Sequence, residues 1–411
     1  MNTFEIQLDI PGVVIEDTII TEDRIIIIVS STVKGTCCRI CGQKIYKPYG
    51  RGREIDLRHL SILGKAVYIR ICPPRYQCID CEDNPITTQT SPWYTQRSPQ
   101  TRDYEDYVLL QLINSTVEDV SIKEGLGYEA VMGVIKRRID TEVDWSEIER
   151  IDVIGLDEIS LKKGHRDFVT IVSALCGEDM IILAILENRE KKTVKKFLKT
   201  IPKRLRKKIS GVCSDMYEGF INAAKEVFGK KTKIIIDRFH VAKLYRKGLE
   251  GIRKKEMKRL KNELPEKEYK KLKGAMWAVR KAPESLSEQE KEVLEILFKY
   301  SPVLKLAYDY CNQLTDIFEE DISKNEAKRK IKKWETNVRL SGLTCFNSFL
   351  STLNKWLEDI TNYFINRQTS GFVEGLNNKL KVIKRRCYGI INIKHLFQRT
   401  FLDFKGYSLF A

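Results

Sequence analysis

The sequence comprises 411 residues, and its 72 Lys and Arg against 56 Asp and Glu give a formal net charge of +16 at pH 7. An apolar share of 42% with 31% charged residues excludes wholesale disorder. The length predicts about two to four domains. Its apolar runs fall well short of the ~20 residues that a membrane helix needs, and the first residues lack a secretion signal. We therefore expect a cytoplasmic protein with a polyanionic partner.

The first segment, to about Asp83, reads as strands and turns, and it contains most of the 11 cysteines. Two pairs share the spacing C-x-x-C, namely Cys38 with Cys41 and Cys78 with Cys81. Zinc binds four thiolates in a tetrahedron, and each C-x-x-C turn supplies two adjacent ligands. The spacing predicts a structural zinc site in a β module, in which Cys37 or Cys72 could replace a ligand. A set of buried free cysteines is the alternative.

Residues 117–138 read VEDVSIKEGLGYEAVMGVIKRR, which follows a linker rich in Thr, Ser and Pro and one helical stretch. The pattern predicts a helix from Val117 to Glu124, a turn containing glycine, and a second helix. This arrangement is typical of a helix-turn-helix that enters the major groove. The second helix ends in three basic residues that would meet DNA phosphates, namely Lys136, Arg137 and Arg138. An ordinary connecting hairpin is the alternative.

From Ile151, three β-rich runs follow one another, IGLDEIS, RDFVTIVSAL and MIILAIL. A basic helix, the strand ISGVCSD, a helix from Tyr217 to Phe228 and the strand KIIID come next. This alternation of strand and helix predicts parallel pairing in an α/β layer.

Two aspartates are predicted to end strands of this layer, Asp157 the first and Asp215 the fourth. Carboxylates at the ends of neighbouring parallel strands point into one crevice, where their repulsion favours a divalent cation. Ligation by oxygen alone suits Mg²⁺ or Mn²⁺, and two such ions support phosphodiester chemistry. The neighbouring acids Glu158 and Glu218 remain alternative ligands.

A third carboxylate ligand is expected on a helix from about Ser370 to Arg386, and Glu374 is the best candidate. Helical spacing places it on one face with groups that would position DNA, namely Asn377 or Asn378, Lys381 and Arg385. The alternative for any one of the three acids Asp157, Asp215 and Glu374 is a solvated surface residue, since the chain has 56 Asp and Glu.

Between the fifth strand and that helix, residues from Phe239 to about Asn366 read as nearly continuous helix, with breaks at Pro265, Pro283 and Pro302. Asp237 and His240 follow the fifth strand directly. A carboxylate and an imidazole there would assist catalysis or bind substrate, whereas a buried, hydrogen-bonded histidine is an equal alternative.

These blocks together resemble the ISL-three family of insertion-sequence transposases. The resemblance is carried by CRIC and CIDC, then IGLDEISLKKGH, VCSDMYEGF, IIIDRFHVAK and VEGLNNKLKVIKRRCYG. It implies a ribonuclease-H-like catalytic domain whose Asp-Asp-Glu triad maps to Asp157, Asp215 and Glu374. It also implies an all-helical insertion before the helix that bears the glutamate.

We therefore expect a multidomain protein with four parts: a zinc-binding β module at 1–90, a helix-turn-helix domain at 91–147, a ribonuclease-H-like α/β domain at 148–238 and 371–411, and an all-α insertion at 239–370. The expected function is a DNA transposase at the nucleoid, which binds terminal inverted repeats of double-stranded DNA and catalyses metal-dependent DNA cleavage and strand transfer to target DNA. Pairing of two DNA ends would require at least a homodimer. The alternatives are a transposase-derived DNA-binding regulator and a structure-specific nuclease without joining activity.

Overall fold

The computed structural model describes residues 8–162, 166–177, 179–229, 232–367 and 371–411. The chain forms two compact units, which confirms the expectation of several domains. The first unit contains the chain up to Thr141 together with 385–388 and 397–411, and the second contains 142–384 and 389–396. None of the described helices is long and apolar enough to cross a bilayer.

The N-terminal part of the first unit is built of β-strands, as the sequence predicts. The largest sheet has the order β1-β2-β7-β6 and comprises Val13–Ile20 (β1), Arg24–Ser31 (β2), Ile55–Ile62 (β6) and Lys65–Ile71 (β7). The short strands are Thr36–Cys37 (β3), Lys44–Ile45 (β4), Lys47–Arg51 (β5), Pro74–Gln77 (β8) and Ile86–Thr88 (β9). Alternate residues of β2 and β7, such as Ile27 and Val29 or Ile69 and Ile71, are buried, which is the period of two that one packed face requires.

Three helices follow the strands: Arg102–Leu112 (α1), Val117–Glu124 (α2) and Tyr128–Arg138 (α3). The predicted bounds of the helix from Val117 to Glu124 are confirmed. It begins where the Thr116 hydroxyl accepts a hydrogen bond from the Asp119 amide at 2.9 Å, and it ends at Gly125, whose φ of +62° favours glycine.

The C-terminal helix Ile393–Phe410 (α16) completes the core of these three helices. Leu402 is fully buried among apolar residues of α1, α2 and α3. Arg399 is also fully buried, and its guanidinium donates to the carbonyl oxygens of Leu112 at 2.9 Å and Ser115 at 2.6 Å. The sequence predicts that all of 371–411 belongs to the catalytic domain, whereas 385–388 and 397–411 belong to the first unit, the latter because of this packing.

The second unit contains a five-stranded sheet of order β12-β11-β10-β13-β14. Its strands are Val153–Lys162 (β10), Arg166–Cys176 (β11), Asp179–Leu186 (β12), Gly211–Ser214 (β13) and Lys233–Ile236 (β14). Three helices lie between these strands in the chain: Lys191–Thr200 (α4), Lys203–Arg206 (α5) and Glu218–Phe228 (α6). The apolar residues of α4 and α6, such as Val194, Leu198 and Phe220, are buried in the same core as the sheet.

The strands β10, β13 and β14 pair in parallel, whereas β10, β11 and β12 form an antiparallel meander, because the segments that connect them are too short for a crossover helix. One detail of the sheet differs from the sequence-based expectation. Asp157 does not end its strand, since β10 continues to Lys162 through its pairing with β11.

Helices make up most of the described chain after β14, in agreement with the sequence pattern. They are Arg238–Glu263 (α7), Glu266–Lys270 (α8), Ala275–Ala278 (α9), Glu288–Tyr300 (α10), Pro302–Glu319 (α11), Lys324–Leu340 (α12), Asn347–Thr361 (α13), Tyr363–Asn366 (α14) and Gly371–Arg386 (α15), with a 3-10 helix at Pro283–Ser285. Breaks fall at the three prolines that predicted them. One hydrophobic core connects the sheet, from Ile151, to these helices as far as Phe364.

We predict that Leu402→Ala destabilises the helical part of the first unit, although α1 to α3 lie far away in the sequence. Removing a fully buried leucine side chain lowers the free energy of unfolding by about 2–4 kcal/mol. Hydrogen–deuterium exchange of peptides from residues 102–138 in a urea series measures this change. Leu409→Ala on the same helix is the control, because that side chain is 55% exposed. Equal effects of the two substitutions would contradict the packing of α16.

Candidate active site and cysteine cluster

The four cysteines of the two C-x-x-C pairs lie together in the first unit, with their sulfur atoms within 4.8 Å of one another. The Sγ–Sγ distances are 3.9 Å for Cys38–Cys81, 3.8 Å for Cys41–Cys78 and 3.7 Å for Cys78–Cys81. A tetrahedron with Zn–S bonds of about 2.3 Å has sulfur atoms about 3.8 Å apart. The predicted donor set therefore has the dimensions of a zinc site, and Cys37 and Cys72 lie outside it.

Tight turns hold the two halves of this cluster. The Cys38 amide donates to the Gln43 carbonyl at 2.8 Å, and the Cys78 amide donates to the Pro85 carbonyl at 3.0 Å. Hydrogen bonds from the backbone around Cys41 and Ile40 lower the pKa of Cys38 to about 6, whereas the neighbouring thiols, Cys41 first, raise the pKa of Cys81 to about 12. Four thiolates would repel one another at this distance, so a dication is the natural compensation.

Three aspartates lie at one level across adjacent parallel strands of the second unit. Leu156 on β10 pairs with Ser214 on β13, and Ser214 pairs with Ile236 on β14. The next residues along the chain are Asp157, Asp215 and Asp237. Residues aligned in this way across parallel strands project to the same side of the sheet, so the three carboxylates form one group, hereafter the carboxylate edge.

Burial dominates the electrostatics of the carboxylate edge. It raises the pKa of Asp157 to about 6, and the negative charges of Asp215 and Asp237 act in the same direction. Burial also raises the pKa of Asp215. The charged forms of these groups are therefore unfavourable at close range, and a bound cation would stabilise them.

His240 and Asp237 lie together at the start of α7. The Asp237 Oδ1 atom accepts from the Phe239 amide at 2.8 Å and caps the helix, while its Oδ2 atom lies 3.6 Å from His240 Nε2. The His240 side chain is 30% exposed. The histidine thus belongs to the surroundings of the carboxylates rather than to the hydrophobic core.

The alternative ligands Glu158 and Glu218 are both engaged elsewhere. Arg189 Nη1 lies 3.0 Å from Glu158 Oε2, and its guanidinium stacks on the rings of Phe168 at 4.8 Å and Tyr217 at 5.1 Å. Glu218 pairs with Lys355 at the surface. These ion pairs favour Asp157 and Asp215 over Glu158 and Glu218 as the acids that are open to a cation.

Helix α15 contributes Asn377 to the carboxylate edge. Asn377 is buried, and its Nδ2 atom donates to Asp157 Oδ2. Its Oδ1 atom has no hydrogen-bond partner among the described residues. Glu374 lies on the same helix, and its side chain falls outside the described part of the structure. The other residues predicted on this face, Asn378, Lys381 and Arg385, are exposed.

Two contributors to this site are expected from the sequence, and the structure adds their contacts. Asp237 is expected to assist catalysis or bind substrate because it follows the fifth strand, and the structure aligns it with Asp157 and Asp215. Asn377 is expected, as the alternative to Asn378, on the helix face of Glu374, and the structure pairs it with Asp157. The role of Arg189 is not indicated by the local sequence, because its partner Glu158 lies on β10, 31 residues away.

The three basic residues at the end of α3 differ in their surroundings. Arg137 lies 2.7 Å from the carboxylate of Glu105, whose side chain is fully buried. Arg138 pairs with Asp106 at 2.5 Å. Lys136 is exposed. Two of the three predicted phosphate contacts are thus engaged in ion pairs within the first unit.

Comparison with known proteins gives consistent matches. The family model of the ISL-three group, described as transposase, matches residues 154–400. The transposase for insertion sequence element IS1001 of Bordetella parapertussis is 25% identical over 379 residues, which cover 91% of this chain and 90% of that protein. The transposase for insertion sequence element IS1557 of Mycobacterium tuberculosis is 23% identical over 391 residues, covering 90% of this chain and 86% of that protein.

We predict that Arg137→Ala destabilises the first unit, because it leaves the buried carboxylate of Glu105 without its nearest cation. The expected loss is about 2–4 kcal/mol in the free energy of unfolding. Lys136→Ala, one residue away and exposed, should change it by less than about 0.5 kcal/mol. Denaturant unfolding of both variants measures the difference. If Arg137→Ala left the free energy of unfolding unchanged, the ion pair between Arg137 and Glu105 would contribute little to stability.

Proposed function

The chain belongs to the ISL-three family of transposases, and we propose that it binds the terminal inverted repeats of an insertion sequence, cuts the DNA there and joins the 3′ ends to target DNA. Two proteins that match about nine tenths of the chain are named as transposases of insertion sequences, which supports the proposal. The net charge of +16 suits a DNA substrate.

One observation carries the proposed chemistry, namely the alignment of Asp157 and Asp215 at the carboxylate edge. These two partly buried carboxylates, one on β10 and one directly after the adjacent parallel strand β13, would form a cation site that the sheet itself positions. We propose that Glu374 on α15 completes it, because Asn377, one turn further along that helix, contacts Asp157.

In this proposal, Asp157, Asp215 and Glu374 hold Mg²⁺ or Mn²⁺, since the donors are all carboxylate oxygens. When bound, such ions lower the pKa of a water or 3′-hydroxyl and stabilise the leaving oxygen. The Asn377 amide fixes the orientation of the Asp157 carboxylate, and Asp237 holds His240 beside the site. The exposed residues of α15 position the DNA backbone, namely Asn378, Lys381 and Arg385.

We further propose that the second unit is a ribonuclease-H-like domain that the helices of residues 239–370 interrupt. The support is the sheet order, with a three-stranded antiparallel meander followed by two parallel strands that each bring an acid to the same level. Of the expected domain 148–238 and 371–411, the segments 385–388 and 397–411 belong to the first unit instead.

DNA recognition is proposed to lie in the first unit, through a zinc module at 1–90 and a helix-turn-helix domain at 91–147. The helices α2 and α3, joined by a turn containing Gly125, support the second assignment, and exposed Lys136 is its first candidate contact with phosphate. Pairing of two DNA ends would require at least two copies of the chain, and a DNA substrate would place them at the nucleoid.

The central experiment supplies a duplex from the ends of the element that carries this gene, together with target plasmid and Mg²⁺. Asp215→Asn should lower cutting and joining by roughly two to four orders of magnitude, because it removes one charge from the cation site, and should leave DNA binding intact. Asp179→Asn, an exposed aspartate on β12, is the matched control with wild-type activity.

The outcomes separate the candidate functions. Wild-type protein that binds the ends and leaves them uncut would indicate a regulator, and cutting without joined product would indicate a nuclease. Undiminished joining by Asp215→Asn would overturn the assignment of the carboxylate edge.

A second prediction concerns the cysteine cluster, in which we propose that Cys38, Cys41, Cys78 and Cys81 bind structural zinc. The purified protein should contain about one zinc ion per chain, and Cys78→Ser should lose it and lower the melting temperature. Elemental analysis and thermal unfolding measure both effects. Cys72→Ser is the control, since that thiol lies outside the cluster. Equal zinc loss in both variants would show that the ligand set is wrong.

A further inference from the structure

A cavity of about 1070 Å³ lies in the second unit between α7, α11 and the segment around the 3-10 helix. Its lining begins at Asp237 of the carboxylate edge and includes Gly371 at the start of α15. This volume slightly exceeds the ~300–1000 Å³ typical of small-molecule sites. A ligand of that size would therefore lie next to the proposed reacting phosphate.

The wall formed by α7 presents an aromatic ring followed by cations. Phe239 is 53% exposed and lies two residues after Asp237. Steps of three and four residues place Lys243, Arg246 and Lys247 on the same face, and all three are exposed. We call these three residues the basic face of α7. They extend away from the carboxylate edge along the helix, as a line of phosphate contacts would.

The interior and the far wall have a different character. Ala242, Val279 and Cys311 supply apolar surface. The far wall carries Asp316, whose pKa is raised mainly by burial and also by Glu284. A polyanion lying across both walls would meet these acids, so only one side of a ligand can be anionic. The acids are suitable acceptors for amino groups of a base.

We propose that this cavity receives one unstacked nucleotide of the DNA strand being cut, with its base against Phe239 and its phosphate on the basic face of α7. This inference rests on the proposed function and names a subsite for it. An aromatic ring beside a cationic groove is the usual receptor for single-stranded bases, and a base of a duplex reaches such a receptor when its nucleotide is extruded from the stack. Because Asp237 lines the cavity, a nucleotide bound there would lie beside the proposed site of DNA cutting.

The test uses full-length protein and terminal-repeat duplexes that carry 2-aminopurine at each position around the cut, one position per duplex. The fluorescence of this base rises when it leaves the stack. In an Asp215→Asn background, which prevents cutting, we expect a rise at one position, and Ala242→Trp should abolish it by filling the cavity. DNA binding by each variant is measured separately.

Cutting rates provide the second readout in the protein with Asp215 intact. Phe239→Ala should slow cutting about tenfold or more through loss of stacking, while Trp277→Ala should have no effect, because that aromatic residue is 61% exposed and does not line the cavity. An abasic site at the responsive position should restore cutting by Ala242→Trp. A variant that is merely misfolded would not be rescued in this way.

The two proposals can fail separately. If the wild-type protein cuts and joins DNA, but no position brightens and Ala242→Trp cuts normally, the cavity inference is overturned and the transposase function stands. If the wild-type protein does not cut, the proposed function falls. A fluorescence rise that Ala242→Trp removes would still support a nucleotide in the cavity.

Discussion

The second unit is organised around an unfavourable interaction, the burial of aspartate side chains at one level of a sheet. In-register parallel pairing of β10, β13 and β14 brings Asp157, Asp215 and Asp237 together, and burial raises the pKa of the first two. Such a group persists only where the surrounding backbone fixes it. The continuous core that joins the sheet to the helices provides that support, and a cation would relieve the repulsion.

Features set by local sequence were predictable, and features set by distant partners were not. The helix breaks at prolines and the C-x-x-C pairs depend on a few neighbouring residues, and the structure confirms the positions that the sequence predicts for them. The extension of β10 beyond Asp157 depends on its pairing with β11, and the assignment of residues 397–411 depends on core positions such as Leu402. The roles of Arg137 and Glu105 likewise rest on a contact between α1 and α3 that no sequence period reveals.

The helical pattern of the sequence leaves undecided which of the two adjacent asparagines, Asn377 or Asn378, contacts the carboxylates. Successive residues of a helix differ by about 100° in direction, so a predicted face of four residues includes neighbours that point to different surroundings. In the structure, Asn377 is buried against Asp157 while Asn378 is exposed. The phase of α15, which packing of Leu376 and Leu380 fixes, decides which amide reaches the carboxylate.

Asp237 connects the carboxylate edge to the helical segment that follows it. It continues β14, its side chain caps α7, and it lines the cavity whose basic face lies on that helix. Because α7 starts at the next residue, a displacement of the helix would also displace this carboxylate and its neighbour His240. In the proposed function, a DNA strand bound along α7 would therefore keep a fixed position relative to the carboxylates. The structure itself shows the basis of this coupling, since α7 begins directly after Asp237 at the end of the fifth strand of the sheet.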